Sequence, residues 1–225
     1  MGNLADKLVE ELNVETVFSI GGVGIAESVV VTWIIMGVFL LICLWWTHDL
    51  KVFQISKRQA ALEAAVGFIK NMVGGFLGGE GKEYIPYLSS VLIYLGIANL
   101  ISIFGFKPPT KDLNVTIALS LMSIILIEYA GLHKKGMKGF LHSFVEPVPI
   151  IAPINVLEIF IRPLSLCMRL FGNVLGSFVI MALIEAVVPV FVPVVLSAYF
   201  DVFDGLIQAY VFVFLTALFI KESLD

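Results

Sequence analysis

The sequence predicts an all-α polytopic membrane protein with about five membrane-embedded helices plus one amphipathic helix. The last two membrane helices are predicted to form a long, steeply tilted hairpin. Composition is the first observation: 59% of the 225 residues are hydrophobic and 14% are charged, against about 45–50% and about 25% in a soluble domain. The second is that uncharged runs long enough to cross a bilayer recur along the chain. We therefore expect a single membrane domain, residues 1–225.

The N-terminal segment, residues 1–28, is predicted to lie outside, followed by a first span over residues 29–46. The span is uncharged and ends in a Trp pair, which suits the membrane interface. Three basic residues follow it: Lys51, Lys57 and Arg58. Because cytoplasmic loops are enriched in Lys and Arg, residues 48–60 are expected inside and the N-terminus outside. The acidic start also lacks the basic region of a secretory signal peptide.

Residues 59–79 predict the amphipathic helix. Glu63 and Lys70 interrupt a run rich in Ala, Gly and Phe, so we expect a helix at the inner membrane face or packed there against another helix. The following GGEGK is similar to part of a phosphate-binding loop. However, Phe76 stands where that motif needs Gly, and Glu83 stands where it needs Ser or Thr. This stretch is therefore predicted to be a loop without that function.

Residues 86–132 predict a transmembrane hairpin. Residues 86–104 and 113–127 are uncharged, and the double proline of GFKPPTKD between them cannot continue a helix. The lysine-rich HKKGMKG, residues 133–139, is expected to be an inner loop.

Residues 147–222 predict the tilted hairpin. Pro189 and Pro193 frame a turn in VVPVFVP, which leaves two helices of roughly forty and thirty residues, too long for an upright crossing. No inverted repeat of the transporter type is visible between the halves of the chain.

Each helix of this hairpin carries a polar stripe. The stripe on the first helix follows one helical face and consists of Glu158, Arg162, Ser165, Arg169, Asn173 and Gly176. The stripe on the second consists of Asp201, Asp204 and Gln208. An ionisable side chain that faces lipid costs about 2.5–3.5 kcal/mol even on the lenient insertion scale. The stripes are therefore expected to face a protein partner or water-filled cavities.

Structural interpretations of the stripes compete with functional ones. Glu158 and Arg162 lie four residues apart and can mainly neutralise each other near an interface. The acids and the glutamine of the second stripe fit helix–helix hydrogen bonding as well as a hydrated relay.

Arg169 has two interpretations of its own. It can pair with an acid of its own chain, and the candidates are Asp201, Asp204 and Glu185. Alternatively it meets a partner, which Gly172 and Gly176 favour, because small residues four apart let another helix approach closely.

Several classes of function are not supported. Cys43 and Cys167 lie in apolar runs and are expected to be core residues. The histidines have no ligand spacing, and no catalytic triad, HExxH motif or Cys/His cluster occurs. We therefore expect no metal site, no cofactor and no catalytic site in this chain, and no basic face predicts nucleic-acid binding.

SLCMRLFGN, residues 165–173, resembles the signature of subunit a of F-type ATP synthases, the membrane stator beside the rotating c-ring. IANLISIFG, DLNVTIALSL and IQAYVFVFLTALFI match that family in the same order. The resemblance implies translocation of an ion, expected to be the proton, through two offset half-channels. Translocation would be coupled to c-ring rotation and to ATP synthesis or hydrolysis in a soluble catalytic head. The implied partners are c-ring subunits, peripheral-stalk b subunits, the rest of the complex and membrane lipid.

The resemblance also implies roles for individual residues. Arg169 matches the essential arginine, which attracts the ionised c-ring carboxylate and blocks a direct leak of cations. The residues expected near it are Asn173, Gln208, Gly172 and Gly176. The cytoplasmic half-channel is assigned to Glu158 and Ser165. The outer half-channel is assigned to Asp201, Asp204, Glu185, Asp112 and Asn114.

One position departs from the family pattern. Many relatives carry Glu or His nine residues after the arginine, where this sequence has Phe178. We therefore expect the outer relay to rest on Asp201, Asp204 and Glu185 instead.

The expected location is the bacterial inner (plasma) membrane, with the N-terminus outside and the C-terminus cytoplasmic. The alternative function is a stand-alone secondary transporter or channel in which Arg169 binds an anionic substrate. A transporter would act alone, whereas a stator subunit should co-purify with a ring and a soluble ATPase head.

Overall fold

The computed structural model confirms an all-α membrane architecture. It describes residues 16–20, 23–48, 50–51, 56–79, 81–104, 106–143, 152–187 and 191–224. Within these residues, six helices are long and apolar enough to cross a membrane. One small element was not expected: strands β1 (Thr16–Ile20) and β2 (Val23–Ala26) pair as an antiparallel hairpin just before the first helix.

Helix α1 (Glu27–Thr47) extends over the residues predicted as the first span. Only a narrow stripe of it is buried, including Val31 and Ile35, and most of its remaining apolar side chains are exposed. A hydrogen bond adds to this packing, since Thr32 Oγ1 lies 3.1 Å from Tyr94 Oη in the helix Ile85–Leu100.

Helix α2 (Lys57–Leu77) covers the segment predicted to be amphipathic. The Ser56 hydroxyl caps its N-terminus by accepting the backbone N–H of Gln59 at 3.2 Å. The helix ends at Gly78, whose φ of 65° is a left-handed conformation that glycine adopts without strain. In the stretch that follows, Gly78, Gly79 and Gly81 have positive φ values, as expected for the predicted loop. A short 3-10 segment, Lys82–Tyr84, then leads to the next helix.

Helices α3 (Ile85–Leu100) and α4 (Leu113–Ser143) are joined by the predicted proline-containing turn. The turn includes a short 3-10 segment, Pro109–Lys111. Asp112 then caps α4, because its Oδ1 accepts the backbone N–H of Asn114 at 2.9 Å.

The prediction that residues 133–139 form a loop was wrong, while their location on the inner side stays a prediction. The helical conformation of α4 continues through Lys135 and resumes after one break at Gly136, which has φ 69° and ψ 167°. Lysine and histidine are acceptable in a helix, whereas glycine supplies the conformation that the kink requires. Lysine-rich composition therefore indicated the charge of this segment but not its conformation.

The segment predicted to be the tilted hairpin has two arms. The first arm is α5 (Ala152–Val187), a helix of 36 residues, and the second arm begins at Phe191. At about 1.5 Å per residue, α5 is about 54 Å long, far longer than a hydrocarbon core of about 30 Å. The second arm consists of α6 (Phe191–Ala198), a π-helical turn (Tyr199–Asp204) and α7 (Gly205–Leu224). Pro189 and Pro193 were predicted to frame the turn. Pro189 lies outside the described residues, whereas Pro193 lies in the first turn of α6, where a helix tolerates proline because the missing N–H has no partner within the helix.

Helix α7 forms the centre of the bundle, and α2, α3, α4 and α5 contribute to the core around it. Phe212, Val213 and Ile220 are at most 1% exposed. Because lipid tails are as apolar as these side chains, close packing rather than water exclusion holds such helices together. Gly205 illustrates this, since a Cβ there would lie 3.0 Å from Asn99 Cβ of α3.

Candidate functional site: an exposed arginine between two polar cavities

Helix α5 presents Arg169 on the face that points away from the bundle. Leu166, Cys167 and Leu170 are at most 4% exposed and pack inward, while Arg169 is exposed. On the same helix, a Cβ added at Gly172 or Gly176 would meet nothing within 4 Å. The arginine therefore lies on a surface that has room for another helix.

Arg169 does not pair with the aspartates that the sequence offered as partners. Among the side chains that the structure describes, it forms neither a hydrogen bond nor an ion pair. Asp201 instead accepts a hydrogen bond from the Ser197 hydroxyl at 2.7 Å. Of the third candidate, Glu185, the structure describes the backbone in α5 but not the side chain.

One turn beyond the arginine, Asn173 connects α5 to α7. Its Nδ2 donates to Gln208 Oε1 at 2.6 Å. Gln208 is only 3% exposed, and its Nε2 has no acceptor among the described residues. The two amides predicted to lie near the arginine are thus brought together, with one buried donor left over.

Asn173 and Gln208 line a cavity of about 260 Å³, here named the aspartate cavity. Asp201 and Asp204 also line it, so the structure brings four of the predicted residues into one site. The remaining charged residues of its wall are Lys107 and Lys111.

The wall of the aspartate cavity depends on the π-helical turn. Both aspartates belong to this turn, which is wider than an α-helical one and is frequently found at functional sites. Asn99 of α3 secures its end by donating to the Gly205 carbonyl at 2.9 Å and by accepting from the Thr110 hydroxyl at 2.9 Å. The turn is thus fastened to α3 and to the proline-containing loop.

A second cavity, of about 210 Å³, lies further toward the N-terminus of α5 and is here named the glutamate cavity. Its ionisable lining residues are Glu128, Lys135, Glu158, Arg162 and Glu222. The guanidinium of Arg162 donates to Glu158 at 2.8 Å and to Glu222 at 2.9 Å, and it lies 5.1 Å from the centroid of the Phe219 ring.

The expected pairing of Glu158 with Arg162 is therefore present, but it is only part of a larger cluster. Sequence reasoning missed Glu128 and Glu222 because each is an isolated acid near the end of an apolar run. No periodic pattern marked either of them.

Three further predicted residues do not line either cavity. Ser165 is exposed on the outward face of α5, one turn before Arg169. Asp112 accepts the Ser28 hydroxyl of α1 in addition to capping α4, and this use of both carboxylate oxygens indicates a structural role. Asn114 is exposed in the first turn of α4.

The positions along α5 place Arg169 between the cavities. At about 1.5 Å per residue, it lies about 10 Å from Arg162 of the glutamate cavity and about 6 Å from Asn173 of the aspartate cavity. No group of three or more potential metal ligands occurs among the described residues. The arrangement is thus an unpaired cation on an open face, with a polar cavity on either side.

Comparison with known proteins gives a consistent result. The family model described as ATP synthase A chain matches residues 29–221. The chain is 32% identical to the sodium-ion-specific ATP synthase subunit a of Propionigenium modestum, covering 90% of this chain and 75% of that protein. It is 35% identical to ATP synthase subunit a 2 of a Bradyrhizobium species, with 92% of each chain covered. It is also 35% identical to ATP synthase subunit a of Moorella thermoacetica, covering 92% of this chain and 94% of that one.

Proposed function

The chain belongs to the ATP synthase A chain family, and from this premise we propose how it moves ions. Its function is ion translocation as a membrane subunit of an F-type ATP synthase. This replaces the stand-alone transporter considered from the sequence. We propose that the chain itself is non-catalytic and that ATP chemistry takes place in the soluble head.

The observation that carries the proposed mechanism is the exposed Arg169 without a partner among the described residues. Its guanidinium would meet a carboxylate of the c-ring, which passes over the open surface at Gly172 and Gly176. An attraction of about 4 kcal/mol, for a separation of about 4 Å and an effective dielectric of about 20, would keep that carboxylate ionised and still permit its release. Arginine suits this role because it keeps its proton when buried, whereas lysine can lose it.

The two cavities are proposed to be the two half-channels. The aspartate cavity would be the outer one, with Asp201 and Asp204 as proton acceptors, and the glutamate cavity with Glu158 would open to the cytoplasm. A proton entering one cavity could reach the other only on the rotor carboxylate, because the fixed charge of Arg169 lies between them.

The remaining assigned residues take supporting places in this mechanism. Ser165 would lie on the rotor side of the cytoplasmic half-channel, and Glu185 would join the outer half-channel near the turn of the hairpin. Asp112 and Asn114 would fix the loop at the mouth of the outer half-channel, which the capping of α4 supports. Gln208 and Asn173 would set the spacing between α5 and α7 beside Arg169.

The proposed partners are the c-ring, the peripheral-stalk b subunits, the soluble head and membrane lipid. The proposed location is the plasma membrane of a bacterium, with the N-terminus outside and the C-terminus in the cytoplasm. The basic residues that follow α1, among them Lys57 and Arg58, support this orientation.

Replacement of Arg169 by Ala in the complete complex tests the mechanism. We expect ATP-driven ion uptake by proteoliposomes to be lost while the soluble head still hydrolyses ATP, since the rotor carboxylate would have no fixed counter-charge. R169K should also transport poorly. Lys70→Ala, which removes an exposed charge from α2, serves as the matched control and should transport normally. Normal uptake by R169A would refute the proposed role.

The transported ion is proposed to be the proton. ATP-driven transport by the intact complex, measured with and without Na⁺, distinguishes the two ions. Acidification of the vesicles in the absence of Na⁺ is the expected result, and a strict requirement for Na⁺ would contradict it.

A further inference from the structure

The two aspartates of the aspartate cavity differ in what their carboxylates contact. Asp201 accepts a hydrogen bond at 2.7 Å from the Ser197 hydroxyl, which belongs to the same arm of the hairpin. The Asp204 carboxylate is instead within hydrogen-bonding reach of the Ser177 hydroxyl of α5, and both side chains line the cavity. Asp204 is therefore the carboxylate that is connected across the cavity to the helix that carries Arg169.

Among the described residues, Ser177 is also the only side chain of α5 in this cavity wall that can relay a proton. The α5 residues of the wall are Asn173, Val174, Ser177, Phe178 and Met181. Three of them are apolar, and the amide of Asn173, which binds Gln208 at 2.6 Å, has its donor and its acceptor on different atoms. A serine hydroxyl accepts and donates a proton at a single oxygen, which is what a relay requires.

A second hydrogen bond of Ser177 points along α5 toward Arg169. Its Oγ donates to the Asn173 carbonyl at 2.9 Å, one turn closer to the arginine. Such a bond to the carbonyl four residues earlier is common for serine in helices and by itself assigns no function. Here the same hydroxyl has a further acceptor in Asp204 on the second arm, and its single proton can serve only one acceptor at a time. The hydroxyl can therefore turn between the two arms.

We propose that Ser177 is a relay residue that passes protons between Asp204 and water on the Arg169 side of the aspartate cavity. The O–H bond of the protonated carboxyl breaks as its proton moves to the serine Oγ, while the serine gives its own proton to a water molecule. The products are an ionised Asp204, an intact serine hydroxyl and a hydronium ion, and the same steps reversed carry a proton the other way.

Water is needed because the hydroxyl cannot reach the arginine directly. At about 1.5 Å per residue, Ser177 lies about 12 Å from Arg169 along α5. The aspartate cavity, of about 260 Å³, has room for several water molecules. The proposal rests on the proposed function, in which this cavity is the outer half-channel, and it adds the step by which a proton crosses from the second arm to α5.

Valine and threonine at position 177 test the relay, because they have nearly the same shape and only threonine keeps a hydroxyl. The measurement is the initial rate of ATP-driven acidification of proteoliposomes that contain the complete complex. S177V should be slower than the unaltered chain by roughly fivefold, the equivalent of one hydrogen bond, and S177T should restore most of the rate. Equal rates for S177V and S177T would overturn the proposal.

Ser90 provides the matched control. Its hydroxyl makes the same kind of bond, to the Pro86 carbonyl at 2.8 Å, but on an exposed face of α3 that lines neither cavity. S90V should therefore transport normally. Slowing by S90V equal to that by S177V would attribute the loss to valine in a helix and would overturn the relay.

Two backgrounds show whether Ser177 acts through Asp204. In D204N the hydroxyl has no carboxyl to serve, so the residual rate should be the same with S177V as without it. In D201N, which leaves the other carboxylate in place, S177V should still slow acidification by roughly fivefold. A change of packing alone would slow both backgrounds equally, and that result would contradict the relay.

Failure of this proposal is distinguishable from failure of the proposed function. Equal rates for S177V and S177T, together with loss of transport in R169A, would overturn the relay alone. Normal transport in R169A would overturn the mechanism on which the relay rests.

Discussion

At the scale of single residues, two arginines on one face of α5 have opposite surroundings. Arg162 is bound by two glutamates from different helices and lies against an aromatic ring. Arg169 forms no such contact among the described residues and is exposed. Because an arginine facing lipid is costly, an unpaired one indicates a partner surface, while the paired one indicates internal stability. Sequence spacing alone placed both on the same stripe and could not distinguish these roles.

The aspartate cavity supports a prediction at this scale. The double variant D201N/D204N should reduce passive proton conduction through the membrane sector by roughly tenfold or more, because asparagine cannot accept a proton. Conduction would be measured by the decay of an imposed pH gradient in proteoliposomes. Glu63→Gln removes one carboxylate from α2, away from both cavities, and should leave the decay rate unchanged. An unchanged rate in the double variant would show that protons enter by another path.

Several site residues could be predicted from the sequence and others could not. Arg169, Asn173 and Gln208 belonged to recognisable periodic stripes, and the structure brings the two amides together. Glu222 contacts Arg162 across sixty positions of sequence, and no local pattern reports such a distant contact. Asp112 was assigned to the ion path from resemblance, whereas its hydrogen bonds identify a helix cap.

At the scale of elements, the lengths of the uncharged runs predicted where helices lie, but they did not predict the kinks and turns within those helices. The proline-containing turn before Asp112 was predictable because proline cannot continue a helix. The kink at Gly136 was not, because a lysine-rich stretch is compatible with both a loop and a helix. The π-helical turn Tyr199–Asp204 leaves no mark in composition, and the hydrogen bond from Asn99 of α3 that fastens its end joins residues far apart in sequence.

The cluster around Arg162 gives a prediction at the scale of elements, since it joins α5 to the end of α7. R162M and E222Q should each lower the thermal stability of the detergent-solubilised chain, and their effects should not add. We expect a coupling energy of about 0.5–1 kcal/mol, because the Glu222 side chain is 54% exposed and the pair is partly screened. A double-mutant cycle of unfolding measurements checks this value. Pairing R162M with Glu63→Gln should give additive effects, and additivity of R162M with E222Q would contradict the proposed connection.

At the scale of the whole molecule, the bundle is asymmetric. Its core lies around α7, while α5 exposes a long face with large apolar side chains, including Phe160, Leu164 and Met168. The open surface at Gly172 and Gly176 lies on this face, which is where we propose that the rotor passes. Composition predicted a membrane protein but not which side of it would remain uncovered, because that depends on how the helices pack.

The uncovered face allows a prediction for the assembled complex. A Cβ added at Gly172 or Gly176 would meet nothing within 4 Å among the described residues, so a leucine at either position starts into open space and the variant chain should fold and insert normally. Against a rotor it would overpack the interface by about 1–3 kcal/mol, which should slow ATP-driven transport by roughly fivefold or more. Gly67→Leu is the matched control, since a Cβ there also meets nothing within 4 Å. Equal transport by the variants and the control would show that no rotor passes these glycines closely.

The π-helical turn separates two parts of the second arm of the hairpin that have different surroundings. Below the turn, α7 directs its side chains into the packed interior. Within the turn, Asp201 and Asp204 line the aspartate cavity instead of packing in the core. One continuous stretch of the chain thereby contributes to the packed core at one end and to the wall of the aspartate cavity at the other.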